Sequence, residues 1–355
     1  MTPQIKPKTI RLEASTHCQL KCPSCETAQG KTHEKLGGGF LKFQDFQKLV
    51  DQNPWLSHIE LSNWGEIFLN PDLLEIIKYA NSKSVALTAS NGSNLNTVKK
   101  ELLEAVVKYK FRHITCSIDG ASSEIYSIYR QGGNFERVIE NIKTINEYKR
   151  LYRSQFPLLT WQYVAFGHNE HEIPAAQALA KSLNMKFYVK LSWDENFSPV
   201  TNGDLVRKAS KQGVASRSEY LKKHGRDYLQ KRICSQLWQD PQVNWDGKIL
   251  GCCYNYWDNF GNAFEDNLGK SLNTEKIDYA RQMLLGKVEA KADIPCTKCG
   301  HYQQMKKEGN WLTMSDVNSA QSKSEKYPYS LGRFGVWLTN NLPFGTKIYS
   351  LVFER

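Results

Sequence analysis

The chain has 355 residues, of which 40% are hydrophobic, 12% aromatic and 23% charged; this excludes a collagen, a coiled coil or wholesale disorder and suits about two folded domains. Lysine plus arginine (47) exceeds aspartate plus glutamate (36), for a formal net charge of +11. No run approaches the roughly 18–20 apolar residues of a membrane helix, and the opening MTPQIKPKTIRLEAS has no signal-peptide core, so a cytoplasmic location with reduced thiols is expected.

Apolar runs of strand length alternate with helical patterns as far as residue 200. Strands are expected at 9–15, 58–64, 85–90, 113–119, 158–165 and 186–193. Helices are expected at 43–52, where Phe43, Phe46, Leu49 and Val50 share a face, at 71–81 with Pro71 in its first turn, near 97–110, at 135–152 and near 173–184. Six βα units in succession require parallel strands and right-handed crossovers. The fold class is therefore α/β, either an open doubly wound sheet or an incomplete (β/α) barrel, and both place chemistry at the carboxyl ends of the strands. Residues 1–200 form this first domain.

Beyond it the rhythm stops. Residues 201–235 hold nine basic side chains (Arg207, Lys208, Lys211, Arg217, Lys222, Lys223, Arg226, Lys231, Arg232) against Asp204, Glu219 and Asp227. Residues 201–233 read as a solvated basic linker helix, with an anionic substrate or partner as the other use of the charge. A small cysteine-bearing α+β module follows at 234–305, where VNWDGKILGCCYN reads as a hairpin turning at Asp246 and Gly247. The apolar, aromatic end of the 306–355 tail is expected to dock on the body.

The nine cysteines fall into two groups and one outlier. Cys18, Cys22 and Cys25 lie within eight residues after the first strand, close enough to wrap one inorganic core. Thiolates suit iron–sulfur clusters, zinc or Cu(I), and a structural zinc site closes with four ligands. Three thiols leave a metal position open, which is where a substrate or cofactor binds.

CX3CX2C after the first strand of a βα array resembles the signature of the radical S-adenosylmethionine (SAM) enzymes, and the likeness continues along the strand ends. Gly65 and Glu66 in NWGEIFLNPDL are similar to the family's GGEP segment, Ser90 and Asn91 before Gly92 to its TNG segment, and SIDG (Ser117, Asp119) with YRQGG (Arg130) to its SxDG and R-x-G-x-F run. The resemblance implies a partial (β/α)6 TIM-like barrel and a [4Fe–4S] cluster held by Cys18, Cys22 and Cys25, whose open iron chelates SAM. It implies that Glu66 accepts the SAM amine, that the Gly65 backbone approaches closely, that Ser90 and Asn91 lie near the ribose, and that Ser117 and Arg130 meet the sulfonium–carboxylate end. It also implies a reductant such as flavodoxin or ferredoxin. Two positions depart from the pattern: Ser24 stands where an aromatic residue usually packs near adenine, and WGEI replaces GGEP.

The second group holds Cys234, Cys252, Cys253 and the two-ligand knuckle Cys296–Cys299; Gly247-x4-Cys252 preceded by Cys234 resembles the opening of a SPASM domain, and the cysteine count its shorter single-cluster (twitch) form. The resemblance implies an auxiliary [4Fe–4S] cluster held by Cys234, Cys252, Cys296 and Cys299, with zinc as the structural alternative. Neighbours on a strand face opposite ways, so Cys253 points away from whatever Cys252 holds, as a packed small hydrophobe, a hydrogen-atom donor or an exchanging ligand. Cys116 belongs to the core, and Asp194 and Glu195 are candidates for substrate contact. A fully ligated auxiliary cluster implies electron transfer, and hence oxidation of a small polar or sugar-like substrate. The alternatives are modification of a ribosomal peptide by crosslinking, oxidation or epimerisation, and a non-enzymatic iron–sulfur electron carrier.

Overall fold

Side-chain alternation along each strand shapes the barrel. The computed structural model describes residues 4–318 and 331–342. Its strands are β1 (Thr9–Leu12), β2 (His58–Glu60), β3 (Ala86–Ser93), β4 (His113–Ser117), β5 (Leu158–Ala165), β6 (Lys186–Leu191) and β7 (Gln242–Val243). The helices of the first domain are α1 (Lys31–Leu36), α2 (Phe43–Gln52), α3 (Leu73–Ser82), α4 (Lys100–Lys108), α5 (Ser123–Tyr129), α6 (Phe135–Leu151) and α7 (Ile173–Ser182). Then come α8 (Gly203–Ala209), α9 (Arg217–His224), α10 (Gln230–Cys234), α11 (Gln236–Gln239), α12 (Leu268–Ser271), α13 (Glu275–Leu284), α14 (Gly300–Glu308) and α15 (Gly332–Asn341).

The sheet runs β6-β5-β4-β3-β2-β1-β7 with every pair parallel. Strand order follows chain order without the reversal that marks a doubly wound sheet, so successive right-handed crossovers put the helices on one face and leave the other as a lumen. This is the partial-barrel form of the α/β class. One face of each strand confirms it: Ile10, Leu12, Ile59, Leu87, Ala89, Ile114, Cys116, Trp161, Tyr163, Val189 and Leu191 are buried in the helix-side core. The concave face is polar. His58 bonds Thr9 and Thr88, Thr88 donates to Glu60, and His113 bridges Ser90 and Thr160.

The six strands expected before residue 200 all form, and a seventh from the cysteine module joins them. Gln242 and Val243 extend the sheet beyond β1, pairing with Arg11 and Leu12. The cysteine module thus grows from the sheet edge, and Arg11 reaches from β1 to Asp240 at 3.4 Å. The expected hairpin is reduced to single antiparallel bridges, Val243 with Ile249 and Lys248 with Asn262. Its turn does form where Gly247 takes φ +86°. A Cβ there would stand 2.2 Å from Asn262 Oδ1, so the position needs glycine on both counts.

The single basic linker helix is also corrected. Residues 201–235 carry three short helices, α8, α9 and α10, broken where Gly213 (φ +61°) and Gly225 (φ +63°) turn the chain. In the tail, α15 lies against the amino-terminal end of the barrel: Arg333 donates to the carbonyls of Val50, Asn53 and Leu56, and Arg112 to Val336 and Thr339. Residues 319–330 and 343–355, which fall in the tail expectation, lie outside the described residues. No helix among the described residues is long and apolar enough to cross a membrane.

Candidate functional site

The loop after β1 is fixed from several sides. Ser15 pairs with Phe40, the Glu66 N–H donates to the His17 carbonyl at 2.8 Å, Lys21 N–H donates to Gln131, and Thr27 donates to the Trp64 carbonyl. The His17 ring packs on His33 and Phe40, away from the thiols. Within the loop Cys25 N–H donates to the Cys22 carbonyl, which curls the three cysteines together. Cys18 and Cys25 pack beside Cys22 against Leu20, Tyr129, Val164, Phe166 and Phe197.

Burial pushes the Cys18 thiol up to about 12 and raises that of Cys22. Three polar groups reach these sulfurs: Asn94 Nδ2 lies 3.6 Å and Gln19 Oε1 3.9 Å from Cys18 Sγ, and an Arg130 guanidinium nitrogen lies 3.9 Å from Cys22 Sγ. Among the described residues no set of three or more His, Cys, Asp or Glu side chains is disposed around a single metal ion. The fit to an iron–sulfur cluster therefore rests on the donors themselves. They are three soft thiols without an oxygen ligand, in an apolar aromatic shell, with the cationic Arg130 facing an anionic cluster. Buried thiols of raised pKa ionise when a metal takes the proton's place.

The family-like strand ends converge on this loop. Glu66 is buried, and its carboxylate accepts from Ser93 Oγ, Phe68 N–H and Asn94 N–H. Burial raises its pKa. A carboxylate offers about four acceptor positions, so one is left for an ammonium beside Cys18. The Gly65 backbone does approach closely, but its neighbour is the cysteine loop: a Cβ would stand 2.2 Å from the Ser15 carbonyl oxygen and 2.7 Å from that of His17.

Ser90 bonds His113, and Asn91 Nδ2 bonds Ser62 and Asn63. A Cβ on Gly92 (φ +138°) would stand 2.3 Å from Ser117 Oγ, which is how the strand bulge between β3 and β4 brings Ser117 to the rim. Asp119 is fully buried, accepting from Arg130 Nε at 2.6 Å and from Val164 N–H at 2.7 Å. It holds Arg130 at the thiols and is a positioning group.

In the second cysteine group Cys234, Cys252, Cys296 and Cys299 line one apolar cavity with Leu237 and Trp257. The four thiols feel one another's charge, and burial raises each, Cys296 to about 12. By its chemistry this set of four soft thiols in an apolar cavity also suits a cluster, and four donors would leave it no open position. Cys253 lies outside that cavity. Its thiol senses Arg11 and Asp240, and its N–H donates to Gln236. Cys116 is buried in the helix-side core.

Several groups at the site were invisible to motif reasoning. Glu13 accepts from Trp64 and Gly65 N–H and so shapes the WGEI turn; burial raises its pKa to about 8. Trp193, 44% exposed just past β6, donates its indole N–H to the Ser24 carbonyl, while the Ser24 hydroxyl donates to Asp194. Asp194 thus braces the cysteine loop. Glu195 accepts from Ser218 N–H. A cavity of about 340 Å³ opens here between Phe166, Ser192, Asp194, Glu195 and Phe197.

A family model described as the radical SAM superfamily matches residues 12–174, and one described as an iron–sulfur cluster-binding domain, SPASM, matches residues 234–300. Among curated protein sequences none matches the chain. Its structure is similar to that of SuiB of Streptococcus suis bound to S-adenosylmethionine, at 14% identity over 84% of this chain and 71% of that chain, with a TM-score of 0.58. It is also similar to native anSMEcpe with bound AdoMet, at 13% identity over 97% of this chain and 99% of that chain, with a TM-score of 0.54. The two matched segments, the thiol sets they contain and the shared fold agree: the chain belongs to the radical SAM superfamily and carries a SPASM-type iron–sulfur domain, a family that works with SAM and [4Fe–4S] clusters.

Proposed function

We propose that this enzyme oxidises a small polar or sugar-like substrate by hydrogen-atom abstraction. The observation that carries the reading is the convergence of Cys234, Cys252, Cys296 and Cys299 on one apolar cavity. Four thiolates leave no open iron, so electron transfer is the chemistry left to that site. Cys18, Cys22 and Cys25 would hold the SAM-binding cluster. When bound, these groups supply a 5′-deoxyadenosyl radical that takes a hydrogen atom from an unactivated C–H bond, and a sink for one further electron.

The chain binds, orients and excludes water. Glu66 offers its remaining acceptor position to the SAM amine, Arg130 and Ser117 meet the carboxylate end, and Gly65, Ser90 and Asn91 shape the floor beneath the ribose. Trp193 supplies the aromatic surface for adenine that Ser24 lacks. A flavodoxin- or ferredoxin-like protein is the electron donor. On this reading residues 1–200 are the barrel, 201–233 the basic connection, 234–305 the auxiliary domain and 306–355 the docking tail.

A second reading rests on Cys253. Its thiol lies outside the cavity of the other four and interacts with the charges of Arg11 and Lys190 on the barrel side, where it would return a hydrogen atom to the substrate and make the outcome epimerisation. SuiB has been solved bound to a precursor peptide, SuiA, and a peptide substrate is the matching alternative for this chain.

Anaerobic turnover of deuterated candidates separates the readings. Oxidation moves deuterium into 5′-deoxyadenosine, gives a product two electrons more oxidised, and survives Cys253→Ala. A product that gains deuterium from D2O, and loses that gain in Cys253→Ala, overturns oxidation in favour of hydrogen return.

A further inference from the structure

Lys190 occupies an unusual position for a half-buried cation. Val189 and Leu191 on either side are each 1% exposed in the helix-side core, so alternation turns Lys190 onto the concave face. Among the described residues its ammonium has no hydrogen-bond or ion-pair partner; it lies 5.6 Å over the Trp193 ring. Arg217, the first residue of α9, approaches the same space. Its guanidinium lies 5.6 Å over the Tyr228 ring, and its Nε is buried with no hydrogen-bond partner. The Tyr188 and Tyr228 hydroxyls meet at 3.1 Å, with Lys211 lying 5.7 Å over the Tyr188 ring and Tyr188 two residues before Lys190 on the same strand face.

The acids nearby are already engaged. Asp119 is bound by Arg130 and Val164, Asp240 by Arg11, and Glu195 by Ser218, while Asp227, the acid whose charge acts most strongly on Arg217, accepts from Leu229 N–H and lies 4.0 Å from His301. Burial, with the neighbouring charges of Arg217 and Arg130, lowers the Lys190 pKa to about 8 against the opposing charges of Asp119 and Cys253. Two half-buried like charges repel each other and lose hydration. Asp227 and Glu195 offset that cost at Arg217, and Asp119 at Lys190, only in part, since both cations still titrate below their ordinary values; a bound anion would offset more of it. The lining is also donor-rich: an ammonium, a guanidinium and two phenols, the set that recognises an oxyanion.

We propose that Lys190 and Arg217 form an oxyanion subsite in the barrel interior, so that the substrate carries a carboxylate or phosphate group. The existence of the subsite stands on these contacts alone; that its occupant is the substrate rests on the radical SAM reading. The subsite shares the lumen with the Cys253 thiol, so an anchored acid group would hold the rest of the molecule between the two thiol sets.

The test is acetylation of Lys190 by N-hydroxysuccinimidyl acetate on the folded, reconstituted protein, followed by peptide mass spectrometry. Inorganic phosphate and succinate are compared with chloride at equal ionic strength. An anion that binds slows Lys190 acetylation by about tenfold when it exceeds its Kd by that factor, and leaves the exposed Lys78 unchanged. Protection by phosphate alone assigns a phosphate group, and protection by succinate a carboxylate. Arg217→Gln abolishes the protection, and Arg217→Lys retains part of it, which guards against a folding defect. Equal labelling in the three salts, full protection in Arg217→Gln, or protection by SAM alone overturns the proposal. Protection in a protein that never cleaves SAM would overturn the family mechanism and leave the subsite standing.

Discussion

Gly65 and Ser15 meet backbone to backbone, so closely that a methyl group on Gly65 would lie 2.2 Å from the Ser15 carbonyl oxygen. The turn after β2 is thereby a wall for the loop after β1. Gly65→Ala must push back the segment that leads into Cys18, with little to disturb in the helix-side core. The expected outcome is a folded protein with an unchanged far-UV spectrum that loses iron from its first cluster and binds SAM more weakly. Iron analysis and SAM calorimetry on the variant check this.

Trp193 is tied to the cysteine loop through Ser24. If its ring supports the adenine, Trp193→Ala weakens SAM binding by about tenfold, the scale of a lost base–aromatic stack, and Trp193→Phe restores most of it. Iron content stays the same in both. Calorimetric Kd values for SAM read the difference directly.

Glu13 gives a pH signature. Burial raises its pKa from the ordinary 4.5 to about 8, against the hydrogen bonds from Gly65 and Trp64. Between those values the folded state keeps a proton that the unfolded chain has released, so stability falls as pH rises. The slope is about 1.4 kcal/mol per pH unit for one such group, and it ends above the folded pKa. Glu13→Gln keeps an acceptor for the two N–H groups and cannot ionise. Its melting temperature loses this decline between pH 5 and 8 relative to wild type, and parallel curves for the two proteins would contradict the assignment.

Arg333 closes the carbonyl end of α2 by donating to Val50 and Asn53, and it also reaches Leu56. Arg333→Ala costs about 1–3 kcal/mol in urea unfolding, the range for charged hydrogen bonds left unmade. SAM affinity and iron content are unaffected, because α15 lies at the far end of the strands from the thiols.

Much of this molecule is legible in its sequence where one short-range rule suffices. Alternation located β1 to β6, and the face of α2 that carries Phe46, Leu49 and Val50 is buried as expected. The four auxiliary thiols do share a cavity from which Cys253 is absent, although Cys252 and Cys253 lie in a bend and turn rather than on the strand whose alternation was expected to separate them. Helix ends were read two residues long after α4 and α7 because the left-handed caps are Lys110 and Asn184 rather than glycine. Strand β7 is two residues long and exists only through its pairing with β1, which no local pattern encodes. Lys190, Arg217 and Trp193 carry no motif. They meet because β6 and α9 close around the lumen, a relationship set by tertiary folding alone.

The account depends most on two separate thiol sets, each holding a cluster. Anaerobic reconstitution should give about eight irons per chain, and the Cys18→Ala/Cys22→Ala/Cys25→Ala variant should keep about four, as two [4Fe–4S] sites require. Zinc in the remaining thiols, or a triple variant stripped of all its iron, would contradict it.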